Sequence, residues 1–236
     1  MREERIRFES YELTPEGNVR PSAVMRRMQQ AARDDLADFG ITYEDMRKKN
    51  MAFVVSRMAL DFFRPVKGEK ELLLRTAANP CRGATFPRSF LLEDENGVLM
   101  RGMSLWALVD FQKRSLLRPS ALWAQIPDFP DLTDGLLCDR LILPDREADL
   151  FDERKVYASM LDQNNHLNNC NYADLATDLL PDGAGTVKNL QISFQNEARL
   201  GEVLEMKGYV QNGEYLVAGS FRGREGNCFL SKIILF

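Results

Sequence analysis

Lys155-Val-Tyr-Ala-Ser-Met-Leu-Asp-Gln-Asn-Asn-His-Leu-Asn-Asn-Cys-Asn-Tyr-Ala-Asp-Leu-Ala-Thr-Asp-Leu-Leu180 carries three signals in a row. Lys155 to Met160 reads as a short strand, and Asp162 to Asn169 as a polar turn. From about Asn169 to Leu180 the chain reads as a helix, with Tyr172, Leu175, Ala176 and Leu179 on one face. Pro181-Asp-Gly183 suits its end. Four strand-like runs follow, near Lys188–Asn196, Val203–Val210, Tyr215–Arg222 and Cys228–Leu235, with Asn212-Gly213 and Gly223-Arg-Glu-Gly226 as turns.

The first half repeats this plan. Arg5 to Leu13 reads as a strand and Pro21 to Phe39 as a helix, started by Pro21 and stopped by Gly40. Val24, Met28, Ala31, Ala32, Leu36 and Phe39 form its apolar stripe. Strands are expected at Ala52–Phe63, Lys70–Ala77, Thr85–Asp94 and Val98–Phe111, the last two joined at Asn96-Gly97. The expectation is an α+β protein with two copies of a helix on an antiparallel meander. The domains expected are 1–118 and 150–236. The connection 119–149, with Pro119, Pro127, Pro130 and Pro144, should run over the surface.

The 236 residues are 44% hydrophobic and 28% charged, with a net charge of −4. That balance gives a nucleic-acid partner no global support. No apolar run approaches the ~20 residues that span a bilayer. MREERIRFESYEL lacks the apolar core of a signal peptide and is too acidic for a transit peptide, so a cytoplasmic protein is expected. Cys81, Cys138, Cys170 and Cys228 share no metal or redox spacing, and one histidine cannot build a usual zinc site. No metal or other cofactor is expected, and no Gly-X-Ser-X-Gly elbow occurs.

That single histidine is His166. Imidazole changes protonation near neutral pH and suits general base work, whereas an Asn-rich helix-capping turn would be the plainer explanation. The duplication weighs on the choice. Aligned on the helix starts, Asp162, Asn164 and His166 fall opposite Thr14, Glu16 and Asn18. Aligned on Gly68-Glu69 and Gly201-Glu202, Glu197 falls opposite Arg64. A turn needed only for folding would tolerate similar residues in both copies, yet one copy holds the Asp, Asn, His and Glu set. In an extended segment Asp162, Asn164 and His166 would face one way. Asn168 or Asn169 would cap the helix, whose start amides favour negative charge, as in an oxyanion hole. Cys170, inside the helix, reads as a small buried residue rather than a nucleophile.

Asp162-Gln-Asn164-Asn-His166-Leu-Asn168-Asn169 resembles the D-x-N-x-H-x-N-N motif of the acyl-ACP thioesterases. Ser193-Phe-Gln-Asn-Glu197-Ala198 before Gly201-Glu202 is similar to that family's downstream catalytic segment. Phe53-Val-Val-Ser-Arg-Met58 and Arg64-Pro-Val-Lys-Gly68 are similar to its N-terminal half. The resemblance implies two tandem hotdog domains, each a long helix packed on an antiparallel sheet. It places active-site residues at Asp162, Asn164, His166 and Glu197. Plant members commonly carry a cysteine where this chain has Ala198, so water rather than a thiol is the expected nucleophile.

The implied reaction is hydrolysis of fatty acyl-acyl carrier protein to fatty acid and carrier protein. Glu197 or His166 would accept the proton from water, Asp162 would hold and polarise them, and Asn164 would orient the carbonyl or the water. The acyl chain would run in the first half under its helix, with Met25, Met28 and Met58 as candidate lining. Arg20, Arg26, Arg27 and Arg33 are candidates for docking the acidic carrier protein. An acyl-CoA thioesterase and a non-catalytic acyl-thioester-binding module are the alternatives. Either a monomer or a homodimer fits, because two tandem halves already supply the paired unit.

Overall fold

The computed structural model describes residues 1–113, 115–118 and 129–236. The first half holds β1 (Arg2–Ile6), a 3-10 turn (Ser10–Glu12), α1 (Pro21–Asp38), α2 (Tyr43–Lys48), β2 (Met51–Phe62), β3 (Leu72–Ala78), β4 (Thr85–Asp94), β5 (Gly97–Asp110) and β6 (Ser115–Leu116). The second holds β7 (Leu150–Lys155), a 3-10 turn (Ala158–Met160), α3 (Asn171–Thr177), β8 (Val187–Phe194), β9 (Val203–Gln211), β10 (Glu214–Phe221) and β11 (Asn227–Leu235). Among the described residues these strands form one sheet in the order β1-β3-β4-β5-β2-β8-β11-β10-β9-β7, with β6 on β5. The order on one side of the β2–β8 junction mirrors that on the other. The fold is α+β, a large antiparallel sheet with few helices.

Physical reasons for the architecture lie in the strand ends and the core. Met58 pairs with Ile192 and Leu60 with Leu190 across β2 and β8. One hydrophobic cluster therefore runs from Met25, Met28, Phe90 and Met100 to Leu175, Phe229 and Ile233. The outer strands β1 and β7 read REERI and LFDERK. Charge on both edges discourages pairing with another chain. Asn212 and Gly213, both left-handed at φ 52 and 78, make the tight β9–β10 hairpin that Asn-Gly encodes.

Helix α1 starts at Pro21 and ends in a Schellman motif. Gly40, at φ 73, donates its amide to the Ala37 carbonyl at 2.9 Å, and Ile41 donates to Leu36 at 3.0 Å. Buried Ile41 packs with Leu36 beneath the reversal. On the buried face of α1, Asp35 accepts from Arg88 of β4 at 2.7 Å, and Arg88 also donates to Thr76 at 3.0 Å. Burial pulls the Arg88 guanidinium below its ordinary pKa, while Asp35 opposes that shift.

Three expectations need correction. Helix α3 spans only 7 residues, so the second half lacks a long helix. The Thr177 hydroxyl bonds back to the carbonyls of Ala173 and Asp174, Leu180 closes a turn on Thr177, and Pro181 cannot continue a helix. The expected strands Arg5–Leu13 and Lys155–Met160 stop at Ile6 and Lys155, and each is followed by a 3-10 turn. In the first of these turns Glu12 reaches back to the Glu9 amide at 2.8 Å, giving those residues a local partner instead of a ladder.

Residues 119–128, with Pro119 and Pro127, lie outside the described residues. From Phe129 the connection is tied to the sheet rather than lying free. Asn79 donates to the carbonyls of Phe129 and Pro130, Ser89 accepts from the Leu132 amide, and the Asp139 amide donates to Gln191.

Candidate active site

The polar stretch Asp162–His166 is a closed turn, not the extended segment expected from its alternation. Leu161 and Leu167 bridge across it, and the Asp162 amide donates to the His166 carbonyl at 2.8 Å. Asn165 sits at its tip in the left-handed region, φ 61, which asparagine tolerates better than most residues. The Asp162 carboxylate organises this turn from inside. Its Oδ1 accepts the amides of Asn164 at 2.8 Å and His166 at 3.3 Å, and its Oδ2 accepts from Asn164 Nδ2 at 3.4 Å. Asp162 thus acts on His166 through the backbone.

His166 then bridges to Arg199, and the Leu167 amide donates to Ala198 at 2.8 Å, which docks the turn onto the segment after β8. That docking brings His166 Nε2 within 3.1 Å of Glu197 Oε2. The histidine is 27% exposed and the glutamate 56%, so the pair is reachable from solvent. Arg199 lies 3.6 Å from the same carboxylate oxygen. Arg224 braces the segment by donating to the Glu197 carbonyl at 2.8 Å and to Glu202. Partial burial would push the Glu202 carboxyl up, but Arg224 and the Arg199 amide hold it below the usual carboxylate range.

The four expected residues therefore meet as two pairs, Asp162 with Asn164 and His166 with Glu197, joined by the turn backbone. One alignment needs correcting. Val19 bonds to Val66 as Leu167 bonds to Ala198, and Asn18 bridges to Lys67 as His166 bridges to Arg199. Glu197 consequently stands opposite Pro65, not Arg64. The two Gly-Glu pairs misled because Glu69, at φ 69, occupies the left-handed place that Gly201 holds at φ 82.

Beneath the turn, Asn168 Oδ1 accepts the Cys170 amide and its carbonyl accepts the Asn171 amide, both at 2.9 Å, while Cys170, rather than Asn168 or Asn169, stands at the N-cap of α3. Two of the helix-start amides assigned to an oxyanion are thereby engaged. Cys170 is fully buried, its thiol donates to Gln29 Oε1 at 3.1 Å, and burial pushes its pKa up to about 12. It offers no thiolate for catalysis. Tyr172 fixes α3 by packing edge-on against Phe194 and tilted against Phe229.

Sequence reasoning missed α2 and its Tyr43. The Tyr43 hydroxyl donates to Asn164 Oδ1 at 2.8 Å, so the first half reaches into the site. The helix has one buried residue, Met46, and hence no apolar period to read. Its available signal was the start Thr42-x-x-Asp45, where Thr42 Oγ1 accepts the Asp45 amide. The arginines expected to dock a partner are largely engaged within the chain. Arg26 contacts Asn171 and Asp174, Arg27 contacts Glu12, and Arg33 lies over the Tyr43 ring.

Residues 2–120 match the acyl-ACP thioesterase N-terminal domain, and residues 144–224 match the acyl-ACP thioesterase C-terminal domain. The chain belongs to the acyl-ACP thioesterase family. As a member it is a thioesterase that hydrolyses fatty acyl-ACP. Solved structures agree on the fold. An acyl-ACP thioesterase from Bacteroides thetaiotaomicron superimposes with a TM-score of 0.87 at 18% identity, covering 98% of this chain and 96% of that one. A 12:0-ACP thioesterase from Umbellularia californica gives 0.86 at 20% identity, covering 98% and 95%. A MaoC-like dehydratase from Phytophthora capsici gives 0.57 at 15% identity over 78% of this chain and 69% of its own. Related architecture thus also occurs in a protein named for different chemistry, so the site residues must carry the mechanism. No curated protein sequence gives a significant match.

Among the described residues of this thioesterase, no cluster of His, Cys, Asp and Glu is placed to hold a metal ion. No helix there is long and apolar enough to cross a membrane.

Proposed function

We propose that this thioesterase releases fatty acid from acyl carrier protein by direct attack of water, activated by Glu197 and His166. The supporting observation is the 3.1 Å contact between the solvent-reachable His166 Nε2 and Glu197 Oε2, with the nearby Cys170 thiol buried. A carboxylate only accepts, so the imidazole donates Nε2–H and fixes the rotamer of Glu197. Glu197 takes a proton from water while the water oxygen bonds to the thioester carbonyl carbon. When the C–S bond breaks, the same proton passes to the departing sulfur. Asp162 holds the turn, and Asn164 orients the carbonyl or the water.

We further infer two tandem hotdog domains, 1–118 and 150–236, with 119–149 between them. Support comes from the mirrored strand orders about β2 and β8. The acyl chain is assigned to the first half beneath α1. There Met25, Met28 and Met58 share one buried cluster and can repack around an apolar ligand.

The test is fatty acid release from matched acyl-ACP and acyl-CoA substrates by wild type, His166→Ala and Glu197→Gln. The expected result is preference for acyl-ACP, and losses of about 100-fold to 10,000-fold in both variants. Full activity in both variants would refute the site. Faster turnover of acyl-CoA would refute the choice of carrier.

A further inference from the structure

Arg47 and Tyr43 form a one-way chain of hydrogen bonds into the site. Arg47 Nη1 donates to the Tyr43 hydroxyl oxygen at 3.3 Å, and the hydroxyl lies 2.8 Å from Asn164 Oδ1. A guanidinium has no acceptor, so the phenol must turn its hydrogen away from Arg47. The direction of the chain is therefore fixed before it reaches Asn164. It continues through Asn164 Nδ2, which donates to Asp162 Oδ2 at 3.4 Å. A carboxylate that only accepts closes the far end, and bonds aligned this way strengthen one another. Arg33 and Arg47 both lie over the Tyr43 ring, at 5.6 and 5.8 Å, and Thr42 caps the helix that carries it.

We propose that Tyr43 and Arg47, from the first half, are positioning residues that hold Asn164 with its carbonyl turned away and its NH2 presented to the substrate. Asn164 then serves as a hydrogen-bond donor to the thioester carbonyl oxygen as negative charge develops on it. This deepens the proposed function and rests on Asn164 belonging to the reacting site. It also chooses between the two roles left open there, since an amide whose oxygen is taken by Tyr43 cannot use that oxygen to hold the water. The amides of Cys170 and Asn171, engaged by Asn168, do not compete for this role.

Steady-state release of fatty acid from one acyl-ACP substrate tests the proposal in Tyr43→Phe, Asn164→Ala, Asn164→Asp and the Tyr43→Phe/Asn164→Ala pair. Tyr43→Phe should lower kcat about fivefold with KM within about twofold, the scale of one ordinary hydrogen bond. It should have no further effect once Asn164 is alanine. Asn164→Asp, assayed on the alkaline side of neutrality so that its carboxylate only accepts, should be as slow as Asn164→Ala. A Tyr43→Phe enzyme as fast as wild type, or an equal loss in both backgrounds, overturns the positioning role. A fully active Asn164→Asp overturns the donor role. Should the alanine background turn over too slowly to measure, the Asn164 side-chain amide signal in nitrogen-labelled protein decides. Tyr43→Phe should shift that signal, and an unchanged signal overturns the proposal. Full activity of Asn164→Ala would instead remove Asn164 from the site.

Discussion

The turns Thr14–Asn18 and Asp162–His166 have one backbone and two sets of side chains. Thr14 donates its amide to the Asn18 carbonyl at 2.7 Å, and Asp162 does the same to His166 at 2.8 Å. Gly17 at φ 73 and Asn165 at φ 61 hold equivalent left-handed tips. The first turn completes this geometry with a threonine hydroxyl 3.4 Å from the Asn18 amide. Asn18 sits buried, donating to Thr186 across the junction. The first position of the turn therefore needs no aspartate and the last no imidazole. In the second turn the imidazole meets Glu197 and the carboxylate holds Asn164, which bonds to Tyr43. The helices differ in the opposite sense: the long, ion-paired α1 belongs to the half that lacks the chemistry.

Transplanting one turn residue into the other should give the largest effect on turnover. Asp162→Thr keeps a hydroxyl able to bond the turn as Thr14 does, so melting temperature should move little. Fatty acid release should fall about 100-fold, because Asn164 loses its anchor. Equal losses of stability and activity would mean that Asp162 is only a turn residue.

Next comes the half with the long helix. Arg88→Ala leaves Asp35 buried without its guanidinium and should cost about 3–5 kcal/mol in denaturant unfolding. The joint replacement Arg88→Met with Asp35→Leu should cost much less. A small loss in Arg88→Ala alone would show that α1 does not depend on the pair.

The tips should differ more gently. Nothing lies within 4 Å of a Cβ placed on Gly17, so Gly17→Ala meets only the backbone cost of φ 73. That cost is about 1–2 kcal/mol, whereas Asn165→Gly relieves the same conformation and should be near neutral. Similar unfolding curves for both would break the equivalence of the turns.

The smallest effect belongs to the edge of the second half. Arg146 and the Val210 amide hold the Asp149 carboxyl down at about 2. A depressed carboxylate contributes stability above its ordinary pKa of about 3.9, and that contribution fades as pH falls through the folded value. Between about pH 5 and pH 2 the melting temperature of wild type should therefore fall slightly more than that of Asp149→Asn. Parallel curves would contradict the clamp.

Much of this was legible in the chain because period and punctuation agree. Alternation and Asn-Gly turns marked the strands of both meanders, and Pro21 and Gly40 bounded α1. The pairing of Asp162, Asn164 and His166 with Thr14, Glu16 and Asn18 was also legible, since both turns precede a helix. The rest depends on information that residue patterns do not hold. Glu197 was set one residue off because Glu69 adopts a left-handed conformation that a sequence reader assigns to glycine. Helix α3 was read too long because its apolar stripe runs on into Leu179, while Thr177 and Pro181 end it. Tyr43 was missed because its role comes from a contact across the junction, to a residue far along the chain.

The central claim is that, of the two equivalent turns, the second carries catalytic side chains and the first does not. Single-turnover release of fatty acid from acyl-ACP by His166→Ala and Asn18→Ala, measured side by side on folded proteins, tests it most directly. His166→Ala should lose about 100-fold or more while Asn18→Ala stays within about twofold of wild type. Comparable losses at the two equivalent positions, or an active His166→Ala, would contradict it.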